Sequence, residues 1–208
     1  HSFPELLEHL ETPENVSGVF YRKNGHVVFS GSREHPDLNT LSLSDKALFN
    51  VDLYKNIPEA IGVETKRGCA LKCIYCVYGF LNGTQYRLRK PQRVVDEIES
   101  LVKDYGVRQF TFIDSVFNFP VQHAKDVCKA IIERNLGVSW SAWFHDSYMT
   151  EDLVQLVKQA GCTKIILSPD GFSDNTLKQL GKTQTKKDIL RTFNLLKTLD
   201  GIEICYNF

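Results

Sequence analysis

Strand-like and helix-like segments alternate along most of this chain, from about residue 60 to its end. The segment PQRVVDEIESLVKDYG carries apolar side chains with a helical period, at positions 94, 95, 98, 101, 102 and 105. Proline at its start and glycine at its end favour a helix over this stretch. Short apolar segments such as RQFTFID and TKIILSPDG have strand character and lie between further helical segments. This order predicts an α/β fold made of parallel βαβ units.

Two architectures satisfy the alternation, an open doubly wound sheet and a parallel (β/α) barrel, and both bind ligands at the carboxyl ends of their strands. The fifth strand-like segment, IEICYNF, ends the chain without a following helix. We therefore expect a partial, truncated fold of four to five units. Such a piece is expected to bind a cofactor without turning over a substrate, because a barrel's active site collects groups from several strand ends.

Residues 1–60 have a different character and predict an irregular leader or linker. In GVFYRKNGHVVFSG, Asn24-Gly25 stands between two strand-like runs, a pattern typical of a type I′ hairpin. Residues 31–60 show no clear period. The predicted organisation is thus a leader with a β-hairpin over residues 1–60 and an α/β core over residues 61–208.

The composition argues against several classes of protein. Lys and Arg number 25, as do Asp and Glu, so the net charge of zero gives no electrostatic reason to bind nucleic acid or an anionic membrane. No apolar run approaches the roughly 20 residues that span a bilayer. The sequence contains neither of the two glycine-rich nucleotide-binding motifs. A chain with 42% hydrophobic residues does not need its six cysteines as a disulfide framework, so we expect a reducing cytoplasm.

Three of the six cysteines, Cys69, Cys73 and Cys76, lie within the eight residues CALKCIYC. Thiolate clusters select zinc or iron–sulfur centres, and both structural zinc and an ordinary 4Fe–4S cluster take four protein ligands. Three ligands leave one iron open for a group that is not protein, which is typical of a catalytic centre. A zinc-stabilised binding domain is the alternative. The other cysteines are expected to pack in the core: Cys128 in a helical stripe, Cys162 before a strand and Cys205 within one.

The cysteine loop follows the first strand of the alternating region, and Tyr75 stands just before its last cysteine. This spacing, with its aromatic residue, resembles the hallmark of the radical SAM superfamily. The resemblance implies that Cys69, Cys73 and Cys76 hold a 4Fe–4S cluster whose open iron binds S-adenosylmethionine. It implies an enzyme that uses one electron, from a donor of flavodoxin or ferredoxin type, to cleave this cofactor to a 5′-deoxyadenosyl radical that attacks a small-molecule substrate. The family fold is an open (β/α) barrel.

Two further segments, RLRKPQRVVDEI and DGFSDNTLKQLGK, resemble segments of cobalamin-binding radical SAM enzymes. In the second, Asp170 and Gly171 stand where the family pattern has Glu and Ser. The likeness implies methyl transfer or another radical modification, with cobalamin held by a domain that these residues do not include. The alternative is a radical SAM enzyme without cobalamin, of the methylthiolating or ring-modifying kind.

Polar residues at the ends of two strands are further candidates for the site. Asp114 and Ser115 end the second strand, where family members approach the amino group of the cofactor. Alternation along the third strand puts Trp143 and His145 on one face, towards a substrate in the barrel, although a structural role suits His145 equally well.

The resemblance also implies contacts between the cofactor and charged or aromatic side chains outside those strand ends. It places Tyr75 and Asp170 at the cofactor and lets Arg87 and Arg89 steady its carboxylate. Two residues are expected to be solvated instead: Glu97 and His123.

Overall fold

The computed structural model describes residues 2–57 and 59–208 and divides into two compact units, His1–Asp37 and Leu38–Phe208. The predicted boundary at residue 60 therefore lies inside the second unit, which begins at Leu38. In the first unit, α1 (Ser2–Glu8) precedes a hairpin of β1 (Phe20–Lys23) and β2 (His26–Phe29). Asn24 and Gly25 both have positive φ, at 51° and 83°, as a type I′ turn requires. The predicted hairpin is confirmed.

The second unit contains the alternating strands and helices. The strands β3 (Gly62–Val63), β6 (Gln109–Phe112), β7 (Ser139–Phe144), β8 (Cys162–Leu167) and β9 (Glu203–Tyr206) form one parallel sheet in this order. The order contains no reversal, as in a barrel rather than a doubly wound sheet. In chain order the elements are β3 (Gly62–Val63), β4 (Lys66–Arg67), α2 (Tyr78–Asn82), β5 (Arg87–Leu88), α3 (Pro91–Tyr105), β6 (Gln109–Phe112), α4 (Val121–Arg134), β7 (Ser139–Phe144), α5 (Glu151–Gln159), β8 (Cys162–Leu167), α6 (Asp174–Gln179), α7 (Lys186–Leu196) and β9 (Glu203–Tyr206).

Helix α3 begins and ends where its sequence predicts. Pro91 is its first residue, and Gly106 closes it in the left-handed conformation with φ at 67°. Val94, Val95 and other residues of the apolar stripe are buried against the sheet and contribute to a single core. The buried apolar residues therefore position α3 against the sheet, and Pro91 and Gly106 set where it begins and ends.

The two faces of the sheet differ as the alternation predicts. Phe112 and Trp140 lie in the core with ring centroids 5.0 Å apart, on the side that the helices cover. On the opposite face the hydroxyl groups of Thr111 and Ser141 are 2.7 Å apart. The inner face is therefore polar, and it leads to the carboxyl ends of the strands. Among the described residues, no helix is both long and apolar enough to cross a membrane.

Three sequence-based expectations are wrong in detail. Glu97 is only 8% exposed rather than solvated, because Arg89 pairs with it. His123 is also buried, with Nε2 3.2 Å from the carbonyl oxygen of Thr65. Cys162 does not precede the fourth strand but is its first residue. A helical period cannot reveal such polar partners, since the partner of Glu97 precedes the helix and that of His123 is 58 residues away.

Candidate active site

The cysteine loop, residues 69–76, follows β4, which pairs antiparallel with β5 outside the parallel sheet, and backbone contacts anchor the loop at both ends. Gly68 adopts φ of 94°, and a Cβ there would lie 2.0 Å from the carbonyl oxygen of Gln85, so only glycine fits. The amide of Cys69 donates to the carbonyl of Gly83 at 3.0 Å. Farther along, the amide of Ile74 donates to the carbonyl of Leu180 at 3.0 Å. The loop is thus held by the residue after α2 at its start and by the residue after α6 near its end.

Cys69, Cys73 and Cys76 line one cavity of about 350 Å³ at the carboxyl end of the sheet. Residues that follow or end the next three strands line the same cavity, as expected for the ligand-binding end of parallel strands. The structure therefore brings together several residues predicted for the site. Those on the cavity are the three cysteines, Tyr75, Ser115, Trp143 and His145.

The donor set suits an iron–sulfur cluster. All six cysteines are free thiols, and the three of the loop face one space. Burial raises the pKa of Cys73, Lys182 lowers it, and the neighbouring Cys76 and Cys69 raise it further. Mutual repulsion of this kind favours a cation that binds all three thiolates. Within the described residues no three His, Cys, Asp or Glu side chains are arranged as a ready metal site.

A lysine that the sequence analysis did not single out lies on the cavity wall. Lys182 pairs with Asp170, donates to the carbonyl of Ser168 at 2.9 Å, and lies 5.3 Å from the ring centroid of Tyr75. The hydroxyl of Tyr75 donates to Asp170. Burial alone would lower the pKa of Lys182, but the hydrogen bonds with Asp170 and Tyr75 raise it, so the side chain is a cation. Its only sequence signal is its place at the end of DGFSDNTLKQLGK.

His145 provides an uncharged polar group on the same wall. Burial, and to a smaller extent the charge of Lys182, lower its pKa to about 4, so the ring is neutral near pH 7. Nδ1 accepts from the amide of Ser147 at 3.3 Å, which leaves the ring proton on Nε2. Nε2 lies 3.2 Å from the hydroxyl oxygen of Thr183. His145 therefore presents a neutral ring at the cavity, with its Nε2–H directed towards the hydroxyl of Thr183.

Four residues predicted to contact the cofactor are not among those that line this cavity: Asp114, Arg87, Arg89 and Asp170, the last of which reaches it only through Lys182 and Tyr75. Asp114 is buried, and its carboxylate accepts hydrogen bonds from Thr65 and Lys66. Arg89 pairs with Glu97 at 2.6 Å, and Arg87 donates to the carbonyl of Asn82 at 2.8 Å. These side chains organise the segments around the cysteine loop.

Comparisons with known proteins agree with this geometry. Residues 63–207 match the family model of the radical SAM superfamily. An uncharacterized methyltransferase of Pyrococcus horikoshii is 26% identical over 187 residues, which cover 87% of this chain and 40% of the relative. An anaerobic magnesium-protoporphyrin IX monomethyl ester cyclase of Rubrivivax gelatinosus is 30% identical over 192 residues, which cover 88% of this chain and 34% of the relative. The chain thus spans well under half the length of either relative.

A solved structure shows the same fold. It is the radical S-adenosylmethionine methyltransferase TsrM of Kitasatospora setae with tryptophan and an analogue of the cofactor, which superposes with a TM-score of 0.80 at 22% identity. The match covers 98% of this chain and 42% of that one. A second structure of TsrM, with cobalamin and a [4Fe-4S] cluster bound, has a TM-score of 0.64 at 27% identity and covers 76% of this chain and 32% of that one.

Proposed function

The chain belongs to the radical SAM superfamily of enzymes, and from that premise we propose that Cys69, Cys73 and Cys76 bind a 4Fe–4S cluster beside S-adenosylmethionine. The observation that carries the proposal is the shared cavity of the three cysteines at the carboxyl end of a parallel sheet. When bound, the cluster supplies the electron that cleaves the cofactor to a 5′-deoxyadenosyl radical. The protein's own residues bind and orient the reactants around it.

The cavity wall offers complementary groups for the amino acid end of the cofactor. The ammonium of Lys182 is a suitable partner for its carboxylate, and Asp170 and Tyr75 hold that ammonium in place. The hydroxyl of Ser115 and the Nε2–H of His145 add neutral polar contacts. We propose that these side chains orient the cofactor and the substrate within the cavity.

Apolar side chains on the same cavity can exclude water from a reactive radical. Trp143 is 38% exposed, and Phe80, in α2 directly after the cysteine loop, is 90% exposed. Both line the cavity and would lose exposed surface when a ligand fills it. Their role in the proposal is to cover the reacting groups, and not to contact them chemically.

For the whole protein we propose cobalamin-dependent methyl transfer to a small molecule. Two observations support this finer statement: the likeness of two segments to cobalamin-binding members, and the similarity to a TsrM structure that holds cobalamin and a cluster. Residues outside 1–208 would bind the cobalamin, and a flavodoxin or ferredoxin would supply the electron. The reducing cytoplasm expected from the free cysteines stays a prediction.

A second function is ring modification, which the 30% identity to the Rubrivivax gelatinosus cyclase favours, and we propose it in a form without cobalamin. The cobalamin content of the whole protein, purified from cells supplied with the vitamin, separates the two proposals. About one cobalamin per protein supports methyl transfer. Full activity without any cobalamin supports the second function and rules out the first.

Reconstitution with iron and sulfide under anaerobic conditions tests the cluster site. We expect brown protein with near-equal iron and sulfide, and we expect the change of any loop cysteine to Ala to abolish it. Cys128→Ala is the matched control, because Cys128 is fully buried in α4 and its pKa is raised by burial. An unchanged cluster spectrum in Cys73→Ala would contradict the assignment.

Binding of S-adenosylmethionine at the open iron has its own test. The electron paramagnetic resonance signal of the reduced cluster should change when the cofactor is added to the wild-type protein. The expected change requires the amino acid end of the cofactor to reach the iron. An unchanged signal at saturating cofactor would indicate a closed, structural centre instead.

A further inference from the structure

A buried lysine–aspartate pair lies beside the start of the cysteine loop and outside the cavity. The side chains of Lys66 and Asp114 are 1% and 0% exposed, and Nζ lies 2.9 Å from Oδ2. Lys66 opens β4, and Asp114 follows β6 after one intervening residue. Because an unpaired buried ion is costly, each of these two groups depends on the other.

The carboxylate of Asp114 also determines where the backbone goes. The pairing of β3 with β6 covers two residues, and the last contact is from the amide of Ile113 to the carbonyl of Val63 at 3.0 Å. Beyond this point Oδ1 of Asp114 accepts from the amides of Thr65 at 2.8 Å and Lys66 at 3.2 Å. The carboxylate thus replaces a missing strand partner just where the chain leaves the sheet towards the loop.

The ammonium of Lys66 is fully engaged. It donates to Asp114 and to the carbonyl of Phe117 at 3.0 Å, and it lies 3.3 Å from the hydroxyl oxygen of Thr65. Burial lowers the pKa of Lys66 below its ordinary value, although the charge of Asp114 and, less strongly, that of Cys69 oppose this change. The three oxygen atoms around the Lys66 ammonium hold it in one position.

We propose that the Lys66–Asp114 pair is an electrostatic support of the cysteine loop. The carboxylate directs the chain into Cys69 through the amides of Thr65 and Lys66, and the ammonium places a positive charge three residues before that cysteine. The inference rests on the proposed function, because a charge beside the start of the cysteine loop acts on the bound cluster. Charge and hydrogen bonding around the sulfurs set the reduction potential of such a cluster, so Lys66 makes the cluster easier to reduce and Asp114 opposes it.

The reduction potential of the cluster in the reconstituted protein tests the inference. One variant removes the positive charge of the pair and another removes its negative charge. Lys66→Met should shift the potential to more negative values, because it leaves the carboxylate uncompensated. Asp114→Asn should shift it to more positive values, and Lys66→Met/Asp114→Leu should return it towards wild type. Lys125→Met is the control and should cause no shift, because Lys125 pairs with Asp152 in the outer helix layer.

Shifts of the same sign in the two single variants, or no shift in either, would overturn the inference. If the wild-type protein takes up no iron and sulfide, the proposed function fails and not this inference alone.

Hydrogen exchange in the cluster-free double variant is the second measurement, since replacing a buried ion pair with apolar residues often preserves folding. Exchange at the amides of Thr65 and Lys66 should rise about tenfold or more relative to amides of α4. Unchanged exchange at the amides of residues 65 and 66 would contradict the proposal that the pair supports the cysteine loop.

Discussion

Two lysine–aspartate pairs flank the cysteine loop, and they differ mainly in their access to solvent. The side chains of Lys66 and Asp114 are 1% and 0% exposed, whereas those of Lys182 and Asp170 are 8% and 34% exposed. The first pair lies beside the point where the loop leaves the sheet. In the second pair, Lys182 lies on the cavity wall, 5.3 Å from the ring centroid of Tyr75, and Asp170 stands behind it.

The difference shows that one pair of residue types can serve two purposes. A fully buried pair holds the backbone rigidly, because neither partner can find water or another counter-charge. A pair on a cavity wall keeps one partner accessible, so a ligand can share or replace the contact when it enters. The region beside the start of the loop is therefore support, and the cavity wall is available for recognition.

The largest effect is expected from breaking the buried pair. Lys66→Met should lower the free energy of unfolding by about 3–5 kcal/mol, because it leaves a buried carboxylate without a counter-charge. Lys66→Met/Asp114→Leu should recover most of this loss, and Lys182→Met should cost less than about 1 kcal/mol. Urea unfolding of the cluster-free proteins measures all three. An equal loss of unfolding free energy in Lys66→Met and Lys182→Met would show that the two pairs do not differ in their contribution to stability.

A smaller effect concerns the acid side of the stability profile. The pKa of His145 is lowered to about 4 in the folded protein, against about 6.5 when unfolded. The stability that comes from a neutral ring is therefore present above pH 6.5 and is lost as the pH falls towards 4. Between pH 6.5 and 4.5 the wild type should lose about 2 kcal/mol more than His145→Gln does.

Unfolding free energies of both proteins across this range give the difference directly. The pKa of Asp146 is raised to about 6, mainly by burial, and acts in the opposite direction. That residue is present in both proteins, so its contribution cancels in the comparison. The same acid dependence in wild type and His145→Gln would show that the cavity wall does not hold the ring neutral.

The smallest effect sharpens the role of the pair on the cavity wall. Lys182→Met should weaken S-adenosylmethionine binding about tenfold, or about 1.4 kcal/mol, through loss of a charge-assisted contact. Uptake of iron and sulfide should be unchanged. Lys178→Met is the control, because Lys178 is an exposed lysine of the neighbouring helix α6 and does not line this cavity. Titration of the reduced cluster by paramagnetic resonance measures the affinity, and equal weakening by both variants would contradict the role.

Features that depend on neighbours a few residues apart can be predicted from the amino-acid sequence alone. Pro91 and Gly106 bound helix α3, and Asn24-Gly25 makes the hairpin turn, because backbone conformation at these positions follows from the residue type. The spacing of the cysteines likewise identifies their loop. The alternation along β7 predicts that Trp143 and His145 share one face, since a strand has a period of two, and both residues line the cavity, as does Phe144 between them.

The pairing of charged groups, in contrast, depends on how the whole chain packs. Asp114 faces Lys66, 48 residues away in sequence, and therefore lies outside the cavity where a strand-end carboxylate was expected. Lys182 reaches the cavity because the segment after α6 folds back onto the cysteine loop. The strand order that separates a barrel from a doubly wound sheet is likewise a property of the assembled sheet. Local periodicity specifies which face of an element is buried, whereas burial of a charge is favourable only when a distant partner arrives, and that partner is set by the packing of the whole chain.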